Sequence, residues 1–167
     1  MTMTLDTVVS SGERLRRGLR RYLDSVAADL GVGLESTMID LDTPVSAYLA
    51  LDHRLTGFPD RDLALLWDEE HGWSAAIETH SGEDLIVVSY LDSDTVVPPG
   101  ELVVRFVDGL LSGRDRLGGP DQPTIRMAGN QPPLAELLSV PWETGPTVPF
   151  GADAVPTTGA CPDHGRE

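Results

Sequence analysis

Residues 61–91 constrain the fold more than any other part of the sequence, because three apolar runs alternate there with two short turns. The stretch is RDLALLWDEEHGWSAAIETHSGEDLIVVSYL, and its apolar runs cover residues 62–67, 73–80 and 85–91. Runs of this length that are rich in Leu, Val, Ile and Trp are typical of β-strands. The interruptions, DEEHG and SG, have the composition of tight turns. The stretch therefore predicts three consecutive antiparallel strands at the centre of a small sheet.

Two further strands are predicted upstream of this centre. They cover residues 34–41 and 45–51, and a DTP turn separates them. Residues 52–60, DHRLTGFPD, then form a polar loop that is longer than a simple hairpin turn and carries Phe58. Binding residues often lie on loops of this kind, so we expect this loop to be the first place to search for a ligand.

Helical periodicity predicts one helix on each side of the sheet. Ser10 and Glu13 have the spacing of a capping box, so the first helix is expected to begin there and to end at Gly31. Gly18 lies inside this helix and is expected to allow close packing on the sheet. The second helix is predicted over residues 101–111, after two prolines that suit a helix start. The apolar stripe of the first helix consists of Leu15, Leu19, Tyr22, Leu23, Val26, Ala27 and Leu30.

These elements predict an α+β fold: an N-terminal helix, an antiparallel sheet of about five strands, a second helix and then a tail. We expect residues 1–12 to be flexible, residues 13–113 to form the domain, and residues 114–167 to be a mostly disordered tail. The tail holds nine of the thirteen prolines and little periodicity. Its LAELL segment, residues 134–138, is the one place where a short helical turn is expected, and its apolar side chains could dock on the domain.

The central strands carry apolar residues on both faces. Leu63, Leu65 and Trp67 share one face, while Ala64 and Leu66 lie on the other. An antiparallel sheet with one wet face should alternate cleanly between apolar and polar residues. We therefore expect both faces to be at least partly covered, either by the helices and the tail or by a partner.

The composition restricts the partners that the chain can bind. The formal net charge is −15 and the pI about 4.4. Such a field repels nucleic acid and anionic membranes and favours basic partners. No apolar stretch approaches the roughly 20 residues of a membrane span, and the first residues lack the order of a signal peptide. A cytoplasmic location is expected. The single cysteine, Cys161, excludes an intramolecular disulfide and a cysteine-based zinc site.

Five of the twelve arginines cluster on the first helix, and the chain contains no lysine. One interpretation is a basic patch for phosphate or an anionic partner. The other, which the acidity of the chain favours, is a solvated helix flank that pairs with the acidic edges of the sheet. The five are Arg14, Arg16, Arg17, Arg20 and Arg21.

Three phrases together carry a family resemblance: RLRRGLRRYLDSVAADLGV, TPVSAYLALD and GFPDRDLALLWDEEHGWSAAIETHSGEDL. They resemble a family of small uncharacterised proteins from GC-rich Gram-positive bacteria, catalogued as a domain of unknown function. The resemblance covers residues 13–113 and leaves the tail outside. It implies a single helix–sheet–helix domain, and it carries over no activity, ligand or catalytic residue.

The polar and aromatic candidates favour structural roles over chemistry. Glu78 and His80 are two apart on one strand and share a face, but the pattern has no standard metal spacing. Trp67 and Trp73 flank the acidic turn; they could form an aromatic clamp for a ligand, although core packing is the favoured interpretation. The possible ligand or partner contacts are Phe58, Trp67, Trp73, Glu78 and His80. No catalytic, metal-binding or cofactor-binding residue is predicted.

The function predicted from the sequence is a non-enzymatic protein-interaction module, such as an adaptor, a chaperone-like protein or a regulatory accessory protein. Its partner would be an unknown protein or a second copy of the chain, and neither nucleic acid nor a membrane. The alternative is a small-ligand-binding domain with a pocket near the loop 52–60, lined by Phe58, Trp67 or Trp73.

Overall fold

The structure is a computed structural model, and it describes residues 5–79, 81, 84–129 and 133–140. Within these residues it contains three α-helices, six strands and one short 3-10 helix. The helices are α1 (Leu5–Leu30), α2 (Gly100–Leu111) and α3 (Leu134–Leu137), and the 3-10 helix is Leu34–Ser36. The strands are β1 (Thr37–Asp40), β2 (Ser46–Leu51), β3 (Leu63–Asp68), β4 (Gly72–Glu78), β5 (Leu85–Leu91) and β6 (Gly118–Gly119). No helix of this part of the chain is long and apolar enough to cross a membrane.

The strands form one antiparallel sheet in which spatial order equals chain order, from β1 to β6. The register aligns residues of the same face in rows across the sheet; Ala47, Trp67 and Trp73 form one such row. Between β4 and β5 the register shifts at Ala75/Ala76, as a β-bulge does. The predicted α+β architecture is confirmed, with six strands instead of five.

All three helices contribute to one hydrophobic core on a single face of the sheet, which we call the inner face. Two hydrogen bonds tie the core aromatics to the helices: Trp73 Nε1 donates to Tyr22 Oη at 2.9 Å, and Tyr22 Oη donates to the Pro98 carbonyl at 2.8 Å. Trp67 Nε1 donates to the Val96 carbonyl at 2.5 Å. The buried indole and phenol groups are therefore satisfied within the core. The core includes Leu19, Tyr22, Leu23 and Val26 of α1, Leu49, Leu65, Trp67 and Trp73 of the sheet, Val103 and Phe106 of α2, and Leu134 and Leu138.

Two local predictions for α1 are corrected. The helix begins at Leu5, so Ser10 and Glu13 lie inside it and are not its capping box. Gly18 packs against the C-terminal segment and not against the sheet: a Cβ at Gly18 would lie 3.0 Å from Leu138 Cβ. The glycine thus provides the close approach that was expected, with a different neighbour.

The described fold extends beyond residue 113, where the composition suggested that the tail begins. Gly118 and Gly119 pair with Leu91 and Tyr90 to add β6 at the edge of the sheet. The predicted helical turn in the LAELL segment is α3, which contacts α1 and buries Leu134 and Leu138. Residues 141–167, with Trp142 and Cys161, lie outside the described residues.

Candidate interaction surface

The second face of the sheet, here called the outer face, presents two rows of mostly apolar side chains. In the described residues none of its members belongs to the hydrophobic core that the helices share. The first row is Met38, Tyr48, Leu66, Ser74 and Tyr90, and the second is Ala50, Ala64, Ala76 and Val87. The mixed alternation of the sequence therefore reflects a core on one side of the sheet and, on the other, a separate apolar layer that the described helices do not cover.

Exposure differs between the middle of the outer face and its margins. Ala64 and Ala76 in the middle are fully buried. At the β1 margin the Met38 side chain is 70% exposed, and at the β5 margin Leu85, which pairs with Glu78, is also exposed. An apolar sheet face with large exposed side chains at its margins is a candidate interaction surface.

Acidic residues lie at both ends of the apolar rows. At one end, Ser46 pairs with Asp40 on one side and with Asp68 on the other, so the two aspartates lie in one row. Asp62 and Glu78 lie at the other end, where the Glu78 amide donates to the Asp62 carbonyl at 3.0 Å. The outer face therefore combines an apolar centre with negative rims.

Tyr48 bridges the middle of this face. Its hydroxyl donates to Glu78 Oε1 at 2.7 Å. Tyr48 is on β2 and Glu78 on β4, so this hydrogen bond spans the intervening strand β3. Burial, the hydrogen bond to Glu78 and the charges of Glu78 and Asp62 raise the pKa of Tyr48 to about 12. No sequence pattern indicates this bridge, because its partners are 30 residues apart and meet only through the register.

The structure separates the side chains that were predicted as contacts. Trp67 and Trp73 are buried on the inner face, at the end of β3 next to the β3–β4 turn. Phe58 is exposed on the loop that precedes β3, at the opposite end of that strand. Glu78 lies at the Phe58 end of the sheet, and His80 is outside the described residues. The two Trp residues and Phe58 therefore do not line a common pocket.

The acidic turn between β3 and β4 holds the segment 125–129 against the sheet. The Glu69 carboxylate, 3% exposed, accepts hydrogen bonds from the Val45 amide at 3.0 Å and the Gly129 amide at 3.3 Å. It also lies 3.6 Å from Arg126 Nη1. The Ala128 amide donates to the Glu70 carboxylate at 3.0 Å, and the amides of Ile125 and Arg126 donate to the Glu70 carbonyl. The carboxylates of this turn thus serve as a clasp for the chain that follows β6.

Asp68 organises the same turn from within. Its Oδ1 accepts the amides of Glu70 and His71, both at 2.8 Å, and it contacts His71 Nδ1 at 2.9 Å. These contacts explain the positions of the Asp68 and His71 side chains without a bound ion. In the described part of the chain, no group of three or more His, Cys, Asp or Glu side chains is arranged to hold a metal.

A second surface lies on α1, whose buried stripe faces the sheet and whose opposite flank is exposed. There an open depression of about 390 Å³ is lined by two acidic and four basic residues of the helix. We call its basic members, Arg16, Arg17, Arg20 and Arg21, the arginine ridge. The acidic members are Glu13 and Asp24. The ridge and the outer face lie on opposite sides of the domain, because α1 packs on the inner face of the sheet.

A comparison with known families identifies one match. The model described as "Family of unknown function (DUF6292)" matches residues 22–109. The matched part runs from the middle of α1 to near the end of α2, so it includes β1 to β5 and both rows of the outer face. No curated protein and no solved structure matches the chain.

Proposed function

We propose that this chain, which belongs to the DUF6292 family of unknown function, is a non-enzymatic protein-interaction module that binds its partner on the outer face of the sheet. The observation that carries the proposal is the apolar layer formed by Tyr48, Leu66, Tyr90 and their neighbours, which the described helices do not cover and whose margins are exposed. The described helices all pack on the inner face, and a partner bound on the outer face would remove the margins of this layer from water.

The charge of the surface indicates the chemistry of the partner. Negative rims flank the apolar rows, and the whole chain carries a formal charge of −15. A partner surface that combines apolar side chains with Arg or Lys would match both features. A second copy of the chain fits less well, because a two-fold interface would bring the same acidic rims together.

A pair of methionines provides a matched test. Met38 on the outer face is 70% exposed, and Met127 on the segment held by the clasp is 67% exposed. Peptides are selected from a phage-displayed random library against the full chain and measured by fluorescence anisotropy. We expect the selected peptides to combine basic and apolar residues. Met38→Glu should weaken their binding about tenfold, a loss that corresponds to about 1.4 kcal/mol, while Met127→Glu should leave it unchanged.

Each other outcome argues against the proposal. Both variants add one negative charge, so equal effects would mean that the peptides respond to net charge alone. If Met38→Glu leaves the peptide affinity unchanged, the binding site lies elsewhere. A dimer that light scattering detects in the wild type and not in Met38→Glu would identify a second copy as the occupant.

The alternative function, a small-ligand pocket near the loop 52–60, gains no support from the positions of Trp67 and Trp73. The cytoplasmic location and the origin in GC-rich Gram-positive bacteria stay predictions. The origin is supported by a composition with twelve arginines and no lysine.

A further inference from the structure

We propose that the arginine ridge on α1 is a second docking surface, which binds an acidic segment of a partner polypeptide. This inference is independent of the outer face, because the two surfaces lie on opposite sides of the domain and share no residue. Together they would let the module hold two partners of opposite charge.

The ridge keeps most of its charge available for a partner. Arg20 Nε contacts Asp24 Oδ1 at 3.1 Å, and Arg21 Nη2 donates to the Leu138 carbonyl at 3.0 Å. In the part of the chain that the structure describes, no ion pair involves Arg16 or Arg17. Among the described residues, no ion pair joins this helix flank to the acidic edges of the sheet, which is the pairing that the sequence suggested.

One contact shows how polypeptide can lie against this flank. Arg21 binds a backbone carbonyl of the segment that follows α3, and Gly18 lets that segment approach the helix closely. The open depression continues from there along Arg17, Arg20 and Arg16. A peptide in it would find guanidinium donors for its side chains next to a helix flank that already accommodates a chain.

Carboxylates are the groups that best complement the ridge. Like charges three and four residues apart on a helix destabilise it, and a bound carboxylate would relieve that repulsion. The planar guanidinium group donates two parallel hydrogen bonds to a carboxylate, which an ammonium group cannot do in a fixed geometry.

The acidity of the remaining chain limits how long an anionic partner can be. The segment Glu13–Asp24 carries five arginines and two acidic residues, whereas the whole chain has a formal net charge of −15. At physiological ionic strength, charges interact over about 8 Å, so a short acidic peptide experiences mainly the ridge. An extended polyanion such as a nucleic acid would reach the acidic surfaces beyond it and be repelled.

Exposed ion pairs are individually weak, so the test uses a labelled peptide of about twelve residues, half of them Glu. Fluorescence anisotropy measures its binding to the full chain. A peptide with Gln at the Glu positions controls for charge. We expect the Glu peptide to bind and the Gln peptide to bind at least about tenfold more weakly. Arg16→Gln/Arg17→Gln should weaken Glu-peptide binding about fivefold. The matched control, Arg114→Gln/Arg116→Gln, removes the same charge from exposed positions elsewhere and should leave binding unchanged.

Four results would overturn the proposal. If the Glu peptide does not bind, the proposal is wrong. If the two double variants lose Glu-peptide affinity equally, the binding reflects net charge alone. Tighter binding of a single-stranded oligonucleotide, with the same dependence on Arg16 and Arg17, would make the ridge a nucleic-acid surface. A wild-type dimer that dissociates in Arg16→Gln/Arg17→Gln would identify a second copy as the occupant.

Discussion

At the scale of single residues, the tertiary neighbours decide how each polar side chain is satisfied. Tyr22 belongs to an apolar stripe, and the sequence placed it in the core. Burial raises its pKa, while the hydrogen bond from Trp73 acts in the opposite direction. Its acceptor, the Pro98 carbonyl, is 76 residues away along the chain. Burial of such residues follows from periodicity, whereas their hydrogen-bond partners follow from packing.

Tyr48 allows a direct test of the outer face by titration. We expect ¹³C NMR of the tyrosine Cζ to show that Tyr48 ionises near its raised pKa of about 12. Glu78→Gln should lower that pKa, because the hydrogen bond and charge of Glu78 both raise it, although burial, the largest cause, would keep it above the usual value of about 10. Asp62→Asn should lower it less. An unchanged pKa in Glu78→Gln would contradict the Tyr48–Glu78 bridge.

The same shift has a consequence for stability. The folded-state pKa of Tyr48 is above that of the unfolded chain, so the folded state retains this proton more strongly. The contribution of Tyr48 to the free energy of unfolding is therefore present below about pH 10 and is lost as the pH rises towards 12.

At the scale of elements, α1 shows what a sequence pattern can and cannot predict. The apolar stripe correctly predicted the helix and its buried face. The capping-box spacing of Ser10 and Glu13 was misleading, because the same residue types also occur inside helices, and the helix extends back to Leu5. The stripe depends on many residues, whereas a cap depends on two.

Gly12 and Gly18 provide a matched pair within α1. A Cβ at Gly12 would meet nothing within 4 Å, while one at Gly18 would lie 3.0 Å from Leu138 Cβ. Gly12→Ala should raise the free energy of unfolding by up to about 1 kcal/mol through helix propensity. Gly18→Ala should gain less, because Leu138 must move. Urea denaturation measures both free energies.

A double-mutant comparison isolates the contact with α3. In a Leu138→Gly background the obstructing Cβ is absent, so Gly18→Ala should there gain as much as Gly12→Ala does. Equal gains from the two alanine variants in the wild-type background would show that the C-terminal segment does not pack on Gly18.

At the scale of the whole molecule, the formal charge of −15 should oppose folding by self-repulsion. Raising the ionic strength from about 0.01 M to about 0.15 M shortens the screening length from about 30 Å to about 8 Å. We expect the Tm measured by calorimetry to rise, by about 2–4 °C for each kcal/mol gained. The exposed pairs Arg20–Asp24 and Arg54–Asp62 would lose some strength, but exposed ion pairs contribute little to stability.

Two salts separate screening from other salt effects. Sodium chloride and sodium sulfate at equal ionic strength should raise the Tm about equally in this range, because screening depends on ionic strength alone. A rise with sulfate only would indicate exclusion of the salt from the protein surface, and a fall with both would mean that ion pairs outweigh the repulsion.

The sequence by itself determined five of the six strands, the two long helices and their order, because each has a local period that identifies its buried positions. It also indicated that the sheet has two apolar faces. Only the tertiary structure decided which face the helices cover, since periodicity does not say on which side of a sheet a helix packs.

Tertiary structure also added the elements without a local signal. The strand β6 consists of two glycines and has no side-chain pattern, so only its pairing with β5 defines it. The clasp formed by Glu69 and Glu70 binds residues about 60 positions later, and the Tyr48–Glu78 bridge spans 30. Contacts this distant along the chain depend on the register and on the path of the backbone, which local sequence does not specify.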